Sequence, residues 1–393
     1  MTSRRLRRIS AFGLTLLAIE FMDEFVFGAR EAAWPLIRND LGLDYAQVGV
    51  LLGAPNFIAN CIEPALGILG DVWRRRALIL GGGVVFSVSL LLTAWSPTFL
   101  ALLVALILFS PASGAFVSLA QATLMDVDPA RHEHNMARWT FAGSVGVVAG
   151  PLALGAAAWL GAGWRGLFAA LGGLSLALVL VTWRMPFPAP AAAEAGVTFR
   201  GGVANAVRAL RRRETLRWLT LLEFSDLMLD VLLGFLALYF VDVVHVSEAE
   251  AGVAVAVWTG VGLLGDFLLI PLLERMSGLR YLRFSAFMEL LLFPAFLLAP
   301  GYAPKLVALA LLGLFNAGWY AILKGGLYTS LPGQSGTVMA LGNVFGLAGS
   351  LIPLGVGALA ERLTLGPTLW LLLLGPIALL VGLPRTAPDL APE

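Results

Sequence analysis

The chain has 393 residues, of which 59% are hydrophobic and 13% charged, with a formal net charge of +1 and a mean hydropathy of +0.86. A composition this apolar over this length excludes a soluble globular domain and leaves a polytopic membrane protein. The single cysteine, Cys61, excludes an internal disulfide.

A spanning helix needs about 20 mostly apolar residues, and windows of that kind recur along the whole chain. They fall at 10–37, 46–70, 77–95, 98–124, 137–160, 164–184, 216–243, 251–273, 281–299, 303–329, 336–360 and 366–384. The expected fold is all-α and integral to the membrane, with twelve transmembrane helices in two pseudo-symmetric six-helix bundles. The first window is studded with acids and has no small-residue cleavage site after it, so it is expected to remain as a helix rather than leave as a signal peptide.

Carboxylates inside these windows are the most informative residues. Glu20, Asp23, Glu24 and Glu31 lie in the first, Glu63 in the second, Glu223, Asp226 and Asp230 in the seventh, Asp266 in the eighth and Glu289 in the ninth. Ionisable groups in hydrocarbon are costly and mark a bundle interior, a wet cavity or an ion pathway. At about 100° per residue, Glu20, Asp23, Glu24, Phe27 and Glu31 share one helix face. Asn56, Asn60 and Glu63 form a row on the second span, and Glu223, Asp226 and Asp230 form one on the seventh. Only Arg30 and Lys324 carry the opposite sign at comparable positions. Like charges and desolvation disfavour ionising all of these acids together, so several are expected to hold protons near neutral pH. The bland alternative is ion pairing near an interface, as for Glu31 beside Arg30, Asp266 or Glu289.

On the tenth span Asn316, Trp319, Tyr320 and Lys324 offer hydrogen-bonding, aromatic and cationic groups. Lys324 has two readings, a switchable partner for Glu223 or Glu63, or a side chain that snorkels to the headgroups. Trp34, Trp95, Trp164 and Trp370 fall near window ends and are expected to be interfacial belt residues. His132, His134 and His245 fall in loops, which argues against a buried imidazole metal site.

Arginine is concentrated in alternate loops. Arg4, Arg5, Arg7 and Arg8 precede the first span, Arg74, Arg75 and Arg76 follow the second, Arg131 and Arg138 follow the fourth, Arg208, Arg211, Arg212, Arg213 and Arg217 precede the seventh, and Arg275, Arg280 and Arg283 follow the eighth. By the positive-inside rule both termini are expected in the cytoplasm of a multi-pass cell (inner) membrane protein. The stretch 186–215, rich in Pro, Ala, Gly and Arg, is expected to be a cytoplasmic linker between an N-terminal bundle, 1–185, and a C-terminal bundle, 216–393. Its arginines suit orientation and anionic lipid better than nucleic acid.

The two halves repeat. Glu20, Phe21 and Asp23 reappear as Glu223, Phe224 and Asp226, a shift of 203 positions that also sets Gly49 on Gly252 and Lys324 on Gln121. Near the other end Pro151 and Gly155 map to Pro353 and Gly357 at a shift of 202. Repeats related by an axis along the membrane normal place a transporter's site at the repeat interface, near mid-membrane.

The segment GILGDVWRRR, with Gly67, Asp71, Arg75 and Arg76, resembles the G-x-x-x-D-[RK]-x-G-[RK]-[RK] hallmark of the major facilitator superfamily, although Val72 replaces a basic residue and Arg74 a glycine. The resemblance extends over essentially the whole chain. In the fifth span Gly146, Gly150, Pro151 and Gly155 resemble the G-x-x-x-G-P-x-x-G-G stretch of that superfamily's drug/proton antiporter branch, with Leu154 where a glycine is usual. The family's usual arginine in the fourth span is missing. The resemblance implies gating roles for Gly67, Asp71, Arg75, Arg76, Gly146, Gly150 and Pro151, and it places the first and seventh helices on either side of the pathway.

Three functions follow. The favoured one is a secondary transporter, a proton-coupled antiporter exporting cationic or amphiphilic small molecules, with Glu20, Asp23, Glu24, Asn56, Asn60, Glu63, Glu223, Asp226, Asp230, Asn316, Trp319, Tyr320 and Lys324 binding substrate or protons. The second keeps the fold and moves a divalent metal cation on the same oxygens, or takes up a small polar solute. The third, an intramembrane enzyme or a receptor, finds no P-loop, no H-E-x-x-H and no Ser–His pair within the spans. No cofactor is expected. The expected partners are a small-molecule or cation substrate, protons and the lipid bilayer, and a monomer suffices.

Overall fold

A computed structural model describes residues 10–384 except 73–74, 128–131, 188–207, 209, 274 and 331–334. The described chain folds as twelve helices. Helix α1 is Ala11–Leu41, α2 Tyr45–Val72 and α3 Arg75–Trp95. Helix α4 runs from Phe99–Ser113 through a π-turn at Gly114–Ser118 into Leu119–Val127. Helix α5 is His132–Trp159 and α6 Gly163–Arg184. Helix α7 runs from Arg213–Asp226 through a second π-turn, Leu227–Val231, into Leu232–Asp242. Helix α8 is Glu248–Leu273 and α9 Gly278–Leu298. Helix α10 consists of Tyr302–Asn316 and Trp319–Ser330, and α11 of Ser335–Gly349 and Ile352–Leu363. Helix α12 joins Leu365–Leu369, a 3₁₀ turn at Trp370–Leu373 and Leu374–Gly382.

Ten of these helices are long and apolar enough to cross a membrane by composition alone. The other two, α1 and α2, have 31 and 28 residues and fall short because they carry the acids and amides singled out above. A helix of that length that is polar along one face must turn that face away from lipid.

Local signals set the helix ends. Ser10 caps α1, its Oγ accepting from the Gly13 N–H at 3.0 Å, and Gly42 ends it in the left-handed region at φ 62°. Asp44 and Gln47 form a reciprocal capping box at the start of α2, with bonds of 2.6 and 3.0 Å. The same devices return 203 positions later: His245 has φ 60°, and Ser247 and Glu250 form the capping box of α8 at 2.9 and 3.2 Å. Gly161 and Thr364, also 203 apart, have φ 72° and 70°. The repeat is therefore written in the backbone as well as in the side chains.

We call the membrane face that bears the start of α1 the terminal face and the opposite one the distal face. Within the first half α1 packs along α5, and α3 packs on α6 and α4. Within the second half α8 packs on α10, and α9 on α10 and α12. Between halves α2 lies on α11, α5 on α8 and α1 on α7. The α2–α11 contact runs through small residues: a Cβ on Gly49 would lie 2.7 Å from the Pro353 carbonyl oxygen, and one on Gly357 2.9 Å from the Gly49 Cα. Small residues let membrane helices approach this closely, where dispersion replaces the missing hydrophobic drive.

Candidate functional site

The acid face of α1 is seated in a glycine groove of α5. A Cβ on Gly143 would lie 2.7 Å from Glu20 Oε1, one on Gly146 2.9 Å from the Phe25 backbone nitrogen, and one on Gly150 would overlap the backbone at Gly28 and Ala29. The stretch around Gly146, Gly150 and buried Pro151 is therefore the bed that fixes the rotation of α1.

That rotation turns Asp23 toward α4, where Ser113 Oγ donates to Asp23 Oδ1 at 2.7 Å. It brings Asp23 within electrostatic reach of Glu63 on α2. Glu63 in turn lies against Gly114, where a Cβ would sit 2.7 Å from its Oε1. The π-turn of α4 starts at that glycine, and π-turns of this kind recur at functional positions. Asn60 of the same α2 row lies against Gly346 on α11, and Asn56 is exposed.

Arg30 joins the two halves at the centre. Its guanidinium binds Glu31 Oε1 through Nε at 2.9 Å and Nη2 at 2.8 Å, and stands over the Phe27 ring at 5.3 Å. Glu31 is only 2% exposed, and its other oxygen accepts from the Trp34 indole at 3.0 Å. Arg30 interacts electrostatically with Asp23 and Glu24 of α1 and with Asp230 of α7, and Glu24 and Asp230, of like charge, lie within electrostatic reach of each other. Asp230 sits on the π-turn of α7, deep in the bundle, yet it keeps accessible surface.

Further along α7, Asp226 interacts with Asp230, Glu223 and Lys324, and Glu223 with Lys324. The Lys324 ammonium stands 5.6 Å from the Tyr320 ring centre, and Tyr320 is 55% exposed within reach of Asp226 and Asp230. The acids within electrostatic reach of Lys324 are thus Glu223 and Asp226, whereas Glu63 lies against Gly114 and near Asp23 in its own half. Asp23, Glu24, Glu31 and Asp230 are grouped on Arg30, Glu223 and Asp226 on Lys324, and Glu20 and Glu63 lie beside Asp23, so that eight carboxylates accompany two cations.

Several expectations need correction. Trp319 is fully buried and donates to Ser285 on α9 at 2.8 Å, so it packs inside its own half. Asn316 is buried as well, its amide donating to the Met228 carbonyl at 3.2 Å, where it braces the π-turn of α7. Trp34 is a buried partner of Glu31 instead of a belt residue. Glu289 is fully buried with both oxygens unpartnered, and Asp266 binds a backbone N–H of α10, so neither is an interfacial ion pair. The tenth and eleventh spans, read as continuous, each break into two helices.

In the hallmark segment Gly67 and Asp71 belong to α2, but their surroundings and Arg74 lie outside the described residues, as do Arg4, Arg5, Arg7, Arg8, Arg131, the side chains of His132 and His134, and most of 186–215. Arg75 is half-buried. Arg76 donates to the Trp183 carbonyl at 2.6 Å and stands over the Phe187 ring, tying the start of α3 to the end of α6.

Sequence reading gave Arg30 a role only as an ion-pair partner of Glu31, a pair the structure contains, and gave none to Ser113 or to the distal contacts described below. Arg30 was visible as an arginine well inside a window, away from its ends, seven residues after Asp23 and hence on the same face. Ser113 carries no sequence signal. At the distal face Arg38 and the Tyr45 hydroxyl both donate to Asp242, Asn39 donates to Glu248 at 2.8 Å, and the Tyr45 N–H donates to Glu361 at 3.0 Å. These bonds join α1 and α2 to α7, α8 and α11 and seal the distal side. Hollows of about 320 Å³, lined by Tyr239, Leu297 and Trp370, and of about 460 Å³, lined by Leu36, Asp40 and Arg165, lie away from the acids. Among the described residues no three His, Cys, Asp or Glu side chains converge on a metal position.

Two related six-helix halves, with carboxylates of both meeting around one arginine, define a membrane transporter of the two-bundle type. The Major Facilitator Superfamily profile matches residues 15–353, and the chain belongs to that superfamily. It is 32% identical to a chloramphenicol resistance protein of Pseudomonas aeruginosa over 176 residues, 43% of this chain and 39% of that protein. It is 24% identical over 328 residues to the transcription regulatory protein OpdE of P. aeruginosa, 79% of each. Among solved structures it resembles the nucleoside transporter NupG, with a TM-score of 0.75 at 16% identity over 94% of this chain and 98% of that one. It also resembles a bacterial homolog of the human lysosomal transporter Spinster, inward-facing and occupied, at 0.72 and 17% over 94% and 93%.

Proposed function

We propose that this chain is a proton-coupled antiporter that exports cationic or amphiphilic small molecules across the cell membrane, with its terminal face in the cytoplasm. The observation that carries this reading is the convergence of Asp23 and Glu24 from one half and Asp230 from the other on Arg30, beside accessible surface. Eight carboxylates against two cations leave six negative charges in excess, and each uncompensated buried charge costs several kcal/mol. Protons or a cationic cargo must supply the balance. Cargo entering from the terminal side displaces protons, the halves rock about the occupied site, and protons returning from the distal side release the cargo.

The arginine-rich loops on the terminal face support a cytoplasmic orientation. The division at 186–215 between bundles 1–185 and 216–393 remains part of this proposal. Export is supported by the α5 stretch and by the chloramphenicol resistance relative. A metal cargo is disfavoured because, among the described residues, no three acids close on one metal position, and the Arg30 guanidinium stands among those that approach one another. The test is proteoliposomes with an imposed pH gradient: ethidium or chloramphenicol should move against a proton flux, and Asp23→Asn and Asp230→Asn should each abolish it. Unaltered transport in both variants overturns the proposal.

A further inference from the structure

Helix α10 breaks between Asn316 and Trp319, with Gly318 in the left-handed region at φ 72°. A Cβ at Gly318 would also collide with the Leu269 side chain of α8, so only glycine fits there. The half before the break is fixed to α8 by close small-residue contacts. A Cβ on Gly313 would lie 2.8 Å from the Trp258 carbonyl, and one on Gly265 2.7 Å from the Ala317 Cβ. The half after the break carries Tyr320 and Lys324 to α7.

Side chains from neighbouring helices hold the break. Asp266 of α8 accepts from the Gly318 N–H at 2.9 Å, and Tyr281 of α9 donates to the Ala317 carbonyl at 3.0 Å. A helix start within a membrane leaves N–H groups that water cannot reach, so a partner must come from the protein. The repeat makes the same arrangement twice. The 203-residue shift sets Asp266 on Glu63 and Ala317 on Gly114, and Glu63 lies against Gly114 where α4 enters its π-turn. Each half brings an acid from its second helix to the irregularity of its fourth.

We propose that Asp266 is a positioning residue: by accepting the Gly318 N–H it caps the second half of α10 and sets how Tyr320 and Lys324 face Glu223 and Asp226. This rests on the reading of those four residues as part of the transport site. The role asks only for a hydrogen-bond acceptor and no titrating proton, which separates it from the cavity acids. Asp266→Asn keeps the acceptor, whereas Asp266→Leu removes it; Asp266→Ala serves if the leucine variant does not reach the membrane.

Two readouts are needed. The first is the spin–spin distance between labels on the native Cys61, which is exposed on α2, and an Ala321→Cys site beside Tyr320. The second is KM and maximal rate for ethidium in proteoliposomes. Asp266→Asn should keep the wild-type distance and a KM within about twofold, while Asp266→Leu should shift or broaden the distance and raise KM roughly tenfold, the factor for one lost hydrogen bond. If the asparagine variant is as impaired as the leucine variant, or the leucine variant leaves the distance unchanged, the cap role is overturned. A changed distance with unchanged KM supports the cap and overturns the site reading on which it was placed.

Discussion

Asp242→Ala removes the acceptor shared by Arg38 and the Tyr45 hydroxyl at the distal seal. The pair is mostly buried, with side-chain exposures of 16% for Arg38 and 22% for Asp242. Hydrogen bonds to charged groups contribute about 1.5–3 kcal/mol each, and partial exposure screens them. Taking about 1.5–3 kcal/mol for the whole cluster, the ratio of distally closed to distally open molecules should fall by roughly 10- to 150-fold, at 1.4 kcal/mol per factor of ten. The bonds are lost when the halves part at that face, so the variant acts on the closed state alone. Labels at Leu160 and Leu298, both exposed at the distal ends of the two halves, report the opening by pulsed electron paramagnetic resonance in nanodiscs with Cys61 replaced by serine. The long-distance population should grow at the expense of the short one, and Asp242→Glu should restore part of it. An unchanged distance distribution would refute the seal and the assignment of the closed side.

Arg30→Gln should lower proton-coupled ethidium transport by more than about tenfold, because the variant leaves Glu31 and the inter-half carboxylates without their shared cation; rates within about twofold of wild type, measured in proteoliposomes, would count against a central role. Gly150→Val should lower the melting temperature of the purified protein, since its side chain collides with the α1 backbone at Gly28 and Ala29 and overpacking costs about 1–3 kcal/mol; nanoscale fluorimetry in detergent checks it. Trp319→Phe should cost about 1 kcal/mol through its lost bond to Ser285 and leave ethidium KM unchanged, whereas Tyr320→Ala should raise KM. The opposite ranking would put Trp319 back in the pathway.

The class of protein was legible because burial in a membrane is a composition effect. Twelve apolar windows and the acids interrupting them need no tertiary information, and the 203-residue repeat is a comparison of the chain with itself. The glycine-rich stretch of α5 was likewise readable as a close-approach surface, since a missing Cβ has the same consequence wherever the partner lies. Helical periodicity fixed which residues of α1 share a face, and so Asp23, Glu24 and Glu31 were found together.

Which way each face turns was settled only by packing. Trp319 and Tyr320 are adjacent in sequence, and the break at Gly318 sends one into the second half and leaves the other accessible. Asp230 and Asp266 looked alike as acids within spans, but one lies on a π-turn at the junction of the halves and the other is spent on a backbone N–H. Side-chain periodicity assumes an unbroken helix, and π-turns and breaks shift its phase, so the residues beyond them are placed by their neighbours. The bond between Ser113 and Asp23, and the seal built from Arg38, Tyr45 and Asp242, join residues from 90 to 204 positions apart. No local pattern encodes such pairs, because their distance is set by how twelve helices pack.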